Sequence, residues 1–343
     1  MSIRTRGKTA VATVTAVALI LGGSLTACGS DDGNTTTEQS TGAGDGAWPV
    51  TVSMADNGGQ SIDQTIPEDP QRVVAIGQNI AELMISFGLR DRVVGVGYLD
   101  GADSYYKDDL NALPTISEQV PSTESVMALK PDLIISMSFA MTEENMGTAD
   151  TWNSRGVPVL LVDNYTVGRD LDSYFGDIRN IGAAFGIGEQ TDAYIDREKK
   201  TMDEIARRNR GTTERPRVLL VASGGSNKLT YNYYSPSLGL ADEMVEAARG
   251  EYVKVSDGVS AEMSDEMILK ANPDVIVMTQ FQKSSSAAEM DKLMSNPRLR
   301  KVKAVQDGRV MLLDYSTTVR GTPHLGELTE QLSDFIHADG EWQ

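Results

Sequence analysis

The residues of this sequence with the clearest chemical capacity are aromatic rings and one arginine, which follow apolar, strand-like runs. The segment "TYNYY" supplies three tyrosines, and Arg320 comes after "LLDYSTTV". Aromatic faces with a few polar groups suit a bulky, partly apolar ligand, and a guanidinium can pair with anionic oxygens. Core packing or a surface loop stays open for any one tyrosine. For Arg320, where the alternative is a surface salt bridge, we favour ligand binding.

Motifs of enzyme catalysis are missing from the sequence, which has no G-x-S-x-G, no P-loop and no H-E-x-x-H. A serine triad that uses one of the two histidines stays open. We expect no catalytic residue and no cofactor. Two histidines and a single cysteine also disfavour a zinc site, although carboxylates could hold another ion. We expect His337 to be a cation at a helix C-terminus and His324 to be exposed in that helix's first turn.

Two nearly repeated fragments indicate how the chain is built: "MALKPDLIISM" at 127–137 and "ILKANPDVIVM" at 268–278. Before each fragment a serine can cap a short helix, Ser122 (or Thr123) in the first and Ser264 in the second. Pro131 and Pro273 then end the helices. The short unbroken apolar run that follows is typical of a strand buried on both faces of a parallel sheet.

The surrounding patterns repeat the same order once in each half of the chain. "RVVAIG" is followed by a helix pattern and "RVVGVG", and "RVLLVASGG" is followed by a helix pattern after the tyrosine-rich loop. The fold class is therefore α/β, with two Rossmann-like lobes, mainly parallel sheets and a ligand cleft between the lobes. A charged run at 189–210 predicts one long helix of roughly 30 Å that joins the lobes. Common ancestry of the two halves and shared α/β patterning both stay open.

Such a cleft is lined by the loops at the carboxyl ends of the strands. In the first half these loops hold Gln78, Ser138 and three of the predicted ligand-binding residues, and in the second half they hold 224–234 and 280–281. The predicted ligand-binding residues are Asn79, Tyr98, Phe139, Tyr231, Tyr233, Tyr234, Phe281 and Arg320.

The N-terminus has the pattern of an export signal. Three basic residues precede an apolar run too short to span a bilayer, and the run ends in "LTAC" at Cys28, the only cysteine. This ending resembles a bacterial lipobox, which implies lipidation of Cys28; a chance cysteine in an ordinary signal peptide is the alternative. The predicted domains are a signal peptide at 1–27, an anchored linker at 28–48, an N-terminal lobe at 49–186, an inter-lobe helix at 187–211 and a C-terminal lobe at 212–343.

The chain is strongly acidic, with a formal charge of −18 that becomes −21 once the basic signal segment is removed. Such a surface disfavours nucleic acid and anionic lipid. We expect membrane attachment through the lipid anchor only.

Together, the lipobox, "DPQRVVAIGQNIAELMISFGLRDRVVGVG", "PSTESVMALKPDLII", the central helix and "NPDVIVM" resemble the substrate-binding proteins of ABC importers for ferric siderophores, cobalamin and haem. The resemblance runs from Val50 to the C-terminus. It implies an extracytoplasmic, monomeric receptor that holds its ligand between the lobes and delivers it to an ABC permease. We expect a ferric siderophore, with a lean towards neutral or cationic complexes such as hydroxamates because the chain is acidic. Haem or cobalamin, with His324 as a haem ligand, and an extracytoplasmic enzyme or interaction protein on this fold are the alternatives.

The resemblance also implies one permease-docking acid on each lobe, and it assigns these roles to Glu82 and Glu243. Each residue has a local alternative. Asn79 and Glu82 have the spacing of a capping box, and Glu243 lies early in a helix, where an acid favours the helix dipole. Both roles are compatible with one exposed side chain.

Overall fold

Two β-sheets, each covered by helices, form the body of the protein. The computed structural model describes residues 47–338 apart from 102–103, 163–167, 224–230, 259, 280 and 282–285. The predicted signal peptide, most of the linker and Cys28 lie outside these residues. Within them, no helix is both long enough and apolar enough to cross a membrane.

The N-terminal lobe contains a five-stranded sheet in which every pairing is parallel, in the order β5-β4-β3-β6-β7. Its strands are β3 (Val73–Ile76), β4 (Val93–Gly97), β5 (Thr115–Ser117), β6 (Leu133–Met137) and β7 (Val159–Val162). Strands β3, β6 and β7 are buried along their whole length. Burial on both faces explains why the sequence shows unbroken apolar runs instead of alternation.

Helices and one hairpin complete this lobe. The helices are α1 (Gln78–Ser86), α2 (Lys107–Asn111), α3 (Thr123–Ala128), α4 (Ala149–Asn153) and α5 (Leu171–Phe185). The hairpin pairs β1 (Val50–Ala55) with β2 (Ser61–Ile66) in antiparallel register, and β1 packs against α5 and β7.

The C-terminal lobe has a mixed sheet in the order β11-β9-β8-β12-β13, with β10 paired to β8. Its strands are β8 (Arg217–Ala222), β9 (Tyr231–Tyr234), β10 (Glu251–Tyr252), β11 (Ser260–Met263), β12 (Val275–Thr279) and β13 (Val310–Leu313). β9 runs antiparallel to both β8 and β11, whereas the other described pairings of this sheet are parallel. The helices are α7 (Ala241–Ala247), α8 (Asp265–Ala271), α9 (Ser286–Ser295), α10 (Lys303–Gln306) and α11 (Leu325–His337).

The long helix between the two sheets is α6 (Gly188–Arg208). It packs on α5 of the first lobe and on α7 and α11 of the second. The fold prediction of two α/β lobes joined by one long helix is confirmed. Contact with both lobes along this helix favours a small hinge movement over wide separation.

The repeated fragments fold as predicted. Ser122 caps α3 by accepting a hydrogen bond from the amide of Ser125, and Ser264 caps α8 in the same way from Met267. One strand prediction is wrong, because β13 ends at Leu313 and residues 316–320 form a short π-helical turn. Arg320 therefore projects from a helical turn and not from an extended strand.

Candidate ligand-binding site

Four aromatic rings meet where the carboxyl ends of the two sheets face each other. Tyr98 follows β4 and Phe139 follows β6 in the first lobe, while Phe281 follows β12 and Tyr315 follows β13 in the second. The ring centroids of Tyr98 and Phe139 are 5.2 Å apart, and those of Phe281 and Tyr315 are 4.9 Å apart. Across the cleft, Tyr98 and Phe281 are separated by 6.5 Å. We call these four residues the aromatic group.

Tyr98 is held in an unusual backbone conformation, with a φ of 59°. Its amide donates hydrogen bonds to the carbonyl oxygens of Ser117 and Gln119. Left-handed backbone is unfavourable for a bulky residue and is found mainly where a site requires it. The half-buried ring is thus fixed at the cleft by the adjacent β5 region.

Arg320 lies beneath the aromatic group and is fully buried. Its Nε donates to Asp100 Oδ2 over 2.7 Å, and Ser316 donates to the same oxygen over 3.1 Å. The guanidinium carbon lies 5.4 Å from the ring centre of Tyr98 and 5.6 Å from that of Tyr315. Burial acts to lower the pKa of Arg320, but Asp100 and these tyrosines outweigh it and raise the pKa. The Asp100–Arg320 ion pair therefore joins the two lobes.

Two further acids lie near this ion pair. Glu82 in α1 is 3% exposed, and its Oε1 accepts hydrogen bonds from Ser104 over 2.7 Å and from Gln78 over 3.1 Å. Burial, followed by the nearby charge of Asp314, raises the pKa of Glu82 to about 8. Burial also raises the pKa of Asp314 to about 6, although hydrogen bonds from Thr317 oppose the shift. Glu82 is therefore largely protonated at neutral pH.

Beside the aromatic group lies a cavity of about 380 Å³ between the lobes. Ser104 and Tyr105 line it from the first lobe, and Asp314, Tyr315 and residues of α11 line it from the second. The site thus combines four aromatic rings, the Arg320 guanidinium that is paired with Asp100, and a cavity lined by the carboxylate of Asp314.

The structure corrects the prediction for two of the tyrosines. Tyr231 and Tyr233 are buried in the core of the C-terminal lobe, where they pack with residues of β8 and β11. Because side chains alternate along a strand, Tyr234 points to the opposite side. Its hydroxyl lies 2.8 Å from that of Tyr315, so Tyr234 is the one tyrosine of β9 that supports the aromatic group.

The capping-box interpretation of Asn79 and Glu82 is wrong, because α1 begins after Gly77 and no side chain caps it. Asn79 is buried at the start of α1, next to the cleft strands. The expectation of an exposed Glu82 is also wrong. Glu243 is half-buried in α7, in a groove shared with Lys199 and Met202 of α6. Burial and neighbouring acids raise the pKa of Glu243.

The histidines lie apart from the aromatic group. His324 stacks on Tyr105 with ring centres 3.9 Å apart, and its Nδ1 lies 3.0 Å from Glu327. It is half-buried, so the expectation of an exposed His324 is corrected. His337 ends α11, as predicted, and its Nε2 lies 2.6 Å from the carbonyl oxygen of Ala248. In the described part of the chain no group of three His, Cys, Asp or Glu residues is arranged to hold a metal ion.

Sequence reasoning missed three members of this site, namely Asp100, Asp314 and Tyr315. Asp100 comes two residues after Tyr98, and Asp314 and Tyr315 come directly after β13. Tyr98 is predicted from its position at the carboxyl end of a strand. The same rule selects Asp100 after β4, and it selects Asp314 and Tyr315 once β13 is known to end at Leu313.

A binding cleft of this kind, between two α/β lobes joined by a single helix, defines a bilobal ligand-binding protein. A family model described as "Periplasmic binding protein" matches residues 73–317. The chain belongs to this family, and the predicted resemblance to substrate-binding proteins of ABC importers is confirmed.

Named relatives agree with this assignment. The uncharacterized ABC transporter substrate-binding lipoprotein YvrC of Bacillus subtilis is 24% identical over 294 residues, which are 85% of this chain and 87% of the relative. The petrobactin-binding protein YclQ of Bacillus subtilis is 23% identical, over 78% of this chain and 82% of the relative. The crystal structure of an ABC-type Fe3+-hydroxamate transport system from Saccharomonospora viridis has the same fold, with a TM-score of 0.70 at 18% identity, and the match covers 85% of this chain and all of that one.

Proposed function

We propose that this protein is an extracytoplasmic receptor that binds a ferric siderophore between its lobes and delivers it to an ABC importer. The observation that carries the proposal is the aromatic group, which draws two half-buried rings from the first lobe and two rings from the second. Aromatic faces on both sides of a cleft bind a bulky chelate through shape and stacking. The proposal involves no chemical conversion of the ligand.

Lobe separation is part of the proposed binding cycle. Tyr98 and Phe281 approach within 6.5 Å, and Arg320 is engaged by Asp100. A chelate seated between the rings would have to part them and break or replace the Asp100–Arg320 ion pair. A modest hinge movement of the lobes on α6 is sufficient for this.

The charges at the site favour a neutral or cationic complex. Asp100, Asp314 and Glu82 lie around Arg320, which is the one cation that forms an ion pair with any of them among the described residues. An anionic chelate would meet the unpaired carboxylate of Asp314 and a guanidinium that Asp100 already engages. Ferric hydroxamates fit these charges better than anionic catecholates. The names of the similar hydroxamate transport system and of the petrobactin-binding relative agree with a siderophore ligand.

Isothermal titration calorimetry tests the assignment with a neutral ferric trihydroxamate, a ferric catecholate, haem and cobalamin, each at the same protein concentration. We expect the ferric trihydroxamate to bind more tightly than its iron-free form, because the iron preorganises the chelate for the cleft. Tight haem or cobalamin binding without any siderophore binding would contradict the proposed ligand and leave the receptor role intact.

Membrane attachment is proposed to occur through lipidated Cys28. The proposal is supported by the sole cysteine at the end of the signal pattern and by the lipoprotein name of a relative. Cys28→Ala should release the protein from the membrane fraction, whereas the wild-type N-terminus should be an acylated Cys28. An unmodified wild-type N-terminus downstream of Cys28, determined by mass spectrometry, would contradict the anchor.

Docking on the permease stays part of the proposal, but burial argues against Glu82 as the contact. Glu124 in α3 and Glu266 in α8 fit the role better, since both are exposed in the first turn of their helices. They occupy equivalent places before the repeated fragments, each two residues after the capping serine of its helix and one on each lobe. Helices that follow β5 and β11 begin at the carboxyl edges of the sheets, the same edges that form the cleft. Two acids at the edges of the cleft, one on each lobe, would orient the receptor over a permease channel.

The docking proposal is tested by ligand uptake in cells that carry receptor variants. Glu124→Gln/Glu266→Gln should abolish most uptake while ligand affinity and melting temperature stay at wild-type values, because the exposed carboxylates contact only the partner. Asp91→Asn/Asp307→Asn is the matched control: it removes one exposed acid per lobe, next to the amino ends of β4 and β13. Glu243→Gln tests the acid that the family resemblance implies for the C-terminal lobe. Normal uptake by the Glu124/Glu266 double variant would refute docking through this edge.

A further inference from the structure

The inter-lobe cavity beside the aromatic group is lined by both apolar and polar side chains. Leu312, Leu313 and Leu328 contribute apolar surface, whereas Ser104, Asp314 and Gln331 contribute polar groups. Asp314 is the one charged residue in the described lining. A cavity with apolar side chains and one carboxylate suits an alkyl chain that ends in a positive charge.

The acid in this cavity is not neutralised by the protein. The Arg320 guanidinium is engaged by Asp100 over 2.7 Å, and in the described ranges neither Asp314 nor Glu82 forms an ion pair. Asp314 Oδ2 instead accepts hydrogen bonds from the amide and the hydroxyl of Thr317, each over 2.7 Å. These neutral donors hold the carboxylate in place without cancelling its charge.

Glu82 adds a second acid immediately behind the lining. Ser104, which lines the cavity, donates its hydroxyl proton to Glu82. Burial and the charge of Asp314 both act to raise the pKa of Glu82. Glu82 is therefore largely neutral at pH 7, and the unpaired negative charge of the cavity is the carboxylate of Asp314, which a ligand cation would compensate.

We propose that this cavity is a subsite for a protonated amine on an alkyl arm of the bound ligand. The proposal rests on the proposed function and specifies the ligand further: the metal chelate occupies the aromatic group, and the arm extends into the cavity. An ammonium has three donors on a slender stem, which match the carboxylate of Asp314 and the neighbouring neutral oxygens. The leucine side chains contact the methylene groups of the arm.

Other occupants fit the cavity less well. A carboxylate arm would be repelled by Asp314 and would lose the solvation of its charge. A bare metal ion would need more protein ligands than this cavity provides, because the described residues contain no group of three metal-binding side chains. A purely apolar arm would leave the carboxylate of Asp314 desolvated and unpaired.

A matched pair of ligands tests the subsite without assuming the natural siderophore. The ferric complex of desferrioxamine B is a trihydroxamate with a free ammonium on an alkyl arm, and its N-acetyl derivative is the same chelate with the charge removed. We expect wild-type protein to bind the ammonium form about tenfold more tightly, the effect of one partly buried charge-assisted contact. Equal affinities for the two complexes would overturn the proposal.

Two variants locate the effect within the cavity. Asp314→Asn keeps an oxygen for the hydrogen bonds from Thr317 but removes the charge, so the ratio of the two affinities should fall towards one. Gln331→Lys places a tethered ammonium at the exposed rim of the cavity and should lower the ratio by competition. The second variant changes a surface residue, so it keeps the test decisive if Asp314→Asn fails to fold.

Matched controls come from α10 and the residue after it, on the amino side of β13. Asp307→Asn removes an exposed acid and Gln306→Lys adds an exposed lysine, and both should retain the wild-type ratio. A ratio that persists in Asp314→Asn and in Gln331→Lys would overturn the subsite. Binding of other ferric chelates but of neither trihydroxamate would overturn the subsite and leave the proposed function intact. Binding of no ferric chelate at all would overturn both.

Discussion

The buried carboxyl of Glu82 offers a direct test of the electrostatics at the cleft through the substitution Glu82→Gln. In the structure, Glu82 Oε1 accepts hydrogen bonds from Ser104 and Gln78. The amide oxygen of a glutamine can accept the same two bonds, so the substitution changes the titration and little else. It separates the effect of the charge from the effect of the side-chain shape.

The sign of the expected effect follows from the raised pKa. In the unfolded chain Glu82 releases its proton near its ordinary value of 4.5, whereas in the folded protein it does so at about 8. Between these values the unfolded state is ionised and the folded state is not, so wild-type stability falls as pH rises through this window. At pH 7 the penalty reaches about 3 kcal/mol, taken as 1.36 kcal/mol for each pH unit above 4.5. Hydration of Glu82 by lobe opening would reduce it, so this figure is an upper bound.

Urea unfolding followed by circular dichroism at pH 5, 6, 7 and 8 measures the effect. Glu82→Gln and wild type should have similar free energies of unfolding at pH 5, and the variant should become progressively more stable as pH rises. The difference between the two proteins cancels the other titrating groups they share. Asp307→Asn, an exposed acid in the same protein, should show no comparable trend.

A pH-independent difference would refute the account of Glu82 as a neutral buried acid. A variant that becomes less stable relative to wild type as pH rises would refute it more strongly, because that trend requires a folded-state pKa of Glu82 below its ordinary value.

Two further substitutions test the packing that positions the site. Arg320→Ala should destabilise the protein by about 3–5 kcal/mol because it leaves Asp100 buried without its partner, and Asp100→Asn in the same chain should restore much of the loss; urea unfolding without such rescue would argue against the ion pair. Gly239→Ala should lower the melting temperature, because its Cβ would lie 2.6 Å from a backbone carbonyl oxygen. The control Gly176→Ala in α5, where nothing lies within 4 Å, should match or exceed wild type.

Local patterns predicted the elements of this fold because their causes are local. Ser122 and Ser264 cap their helices through their own side chains, and the apolar runs of β6 and β12 need no distant information. The order of elements then fixes two α/β lobes. The cleft followed from the rule that loops at the carboxyl ends of strands meet, which placed Tyr98, Phe139 and Phe281 together.

The wrong or missed site predictions concern residues whose positions depend on contacts between segments far apart in the sequence. The sequence predicts Tyr231 and Tyr233 in a loop, but the pairing of β9 with β11 turns both towards the core. Asn79 and Glu82 have capping-box spacing, yet α1 starts at Gln78 and its first turn is buried. Asp100 meets Arg320 over a separation of 220 residues, and no local pattern marks such a pair.

The central claim is that a ferric chelate is held between the two lobes, and diffraction from crystals of the complex at the iron absorption edge tests it most directly. The account predicts one anomalous iron peak in the cleft, between the rings of Tyr98 and Phe139 on one side and those of Phe281 and Tyr315 on the other. An iron peak on the outer surface of either lobe, with these rings still in contact across the cleft, would contradict it.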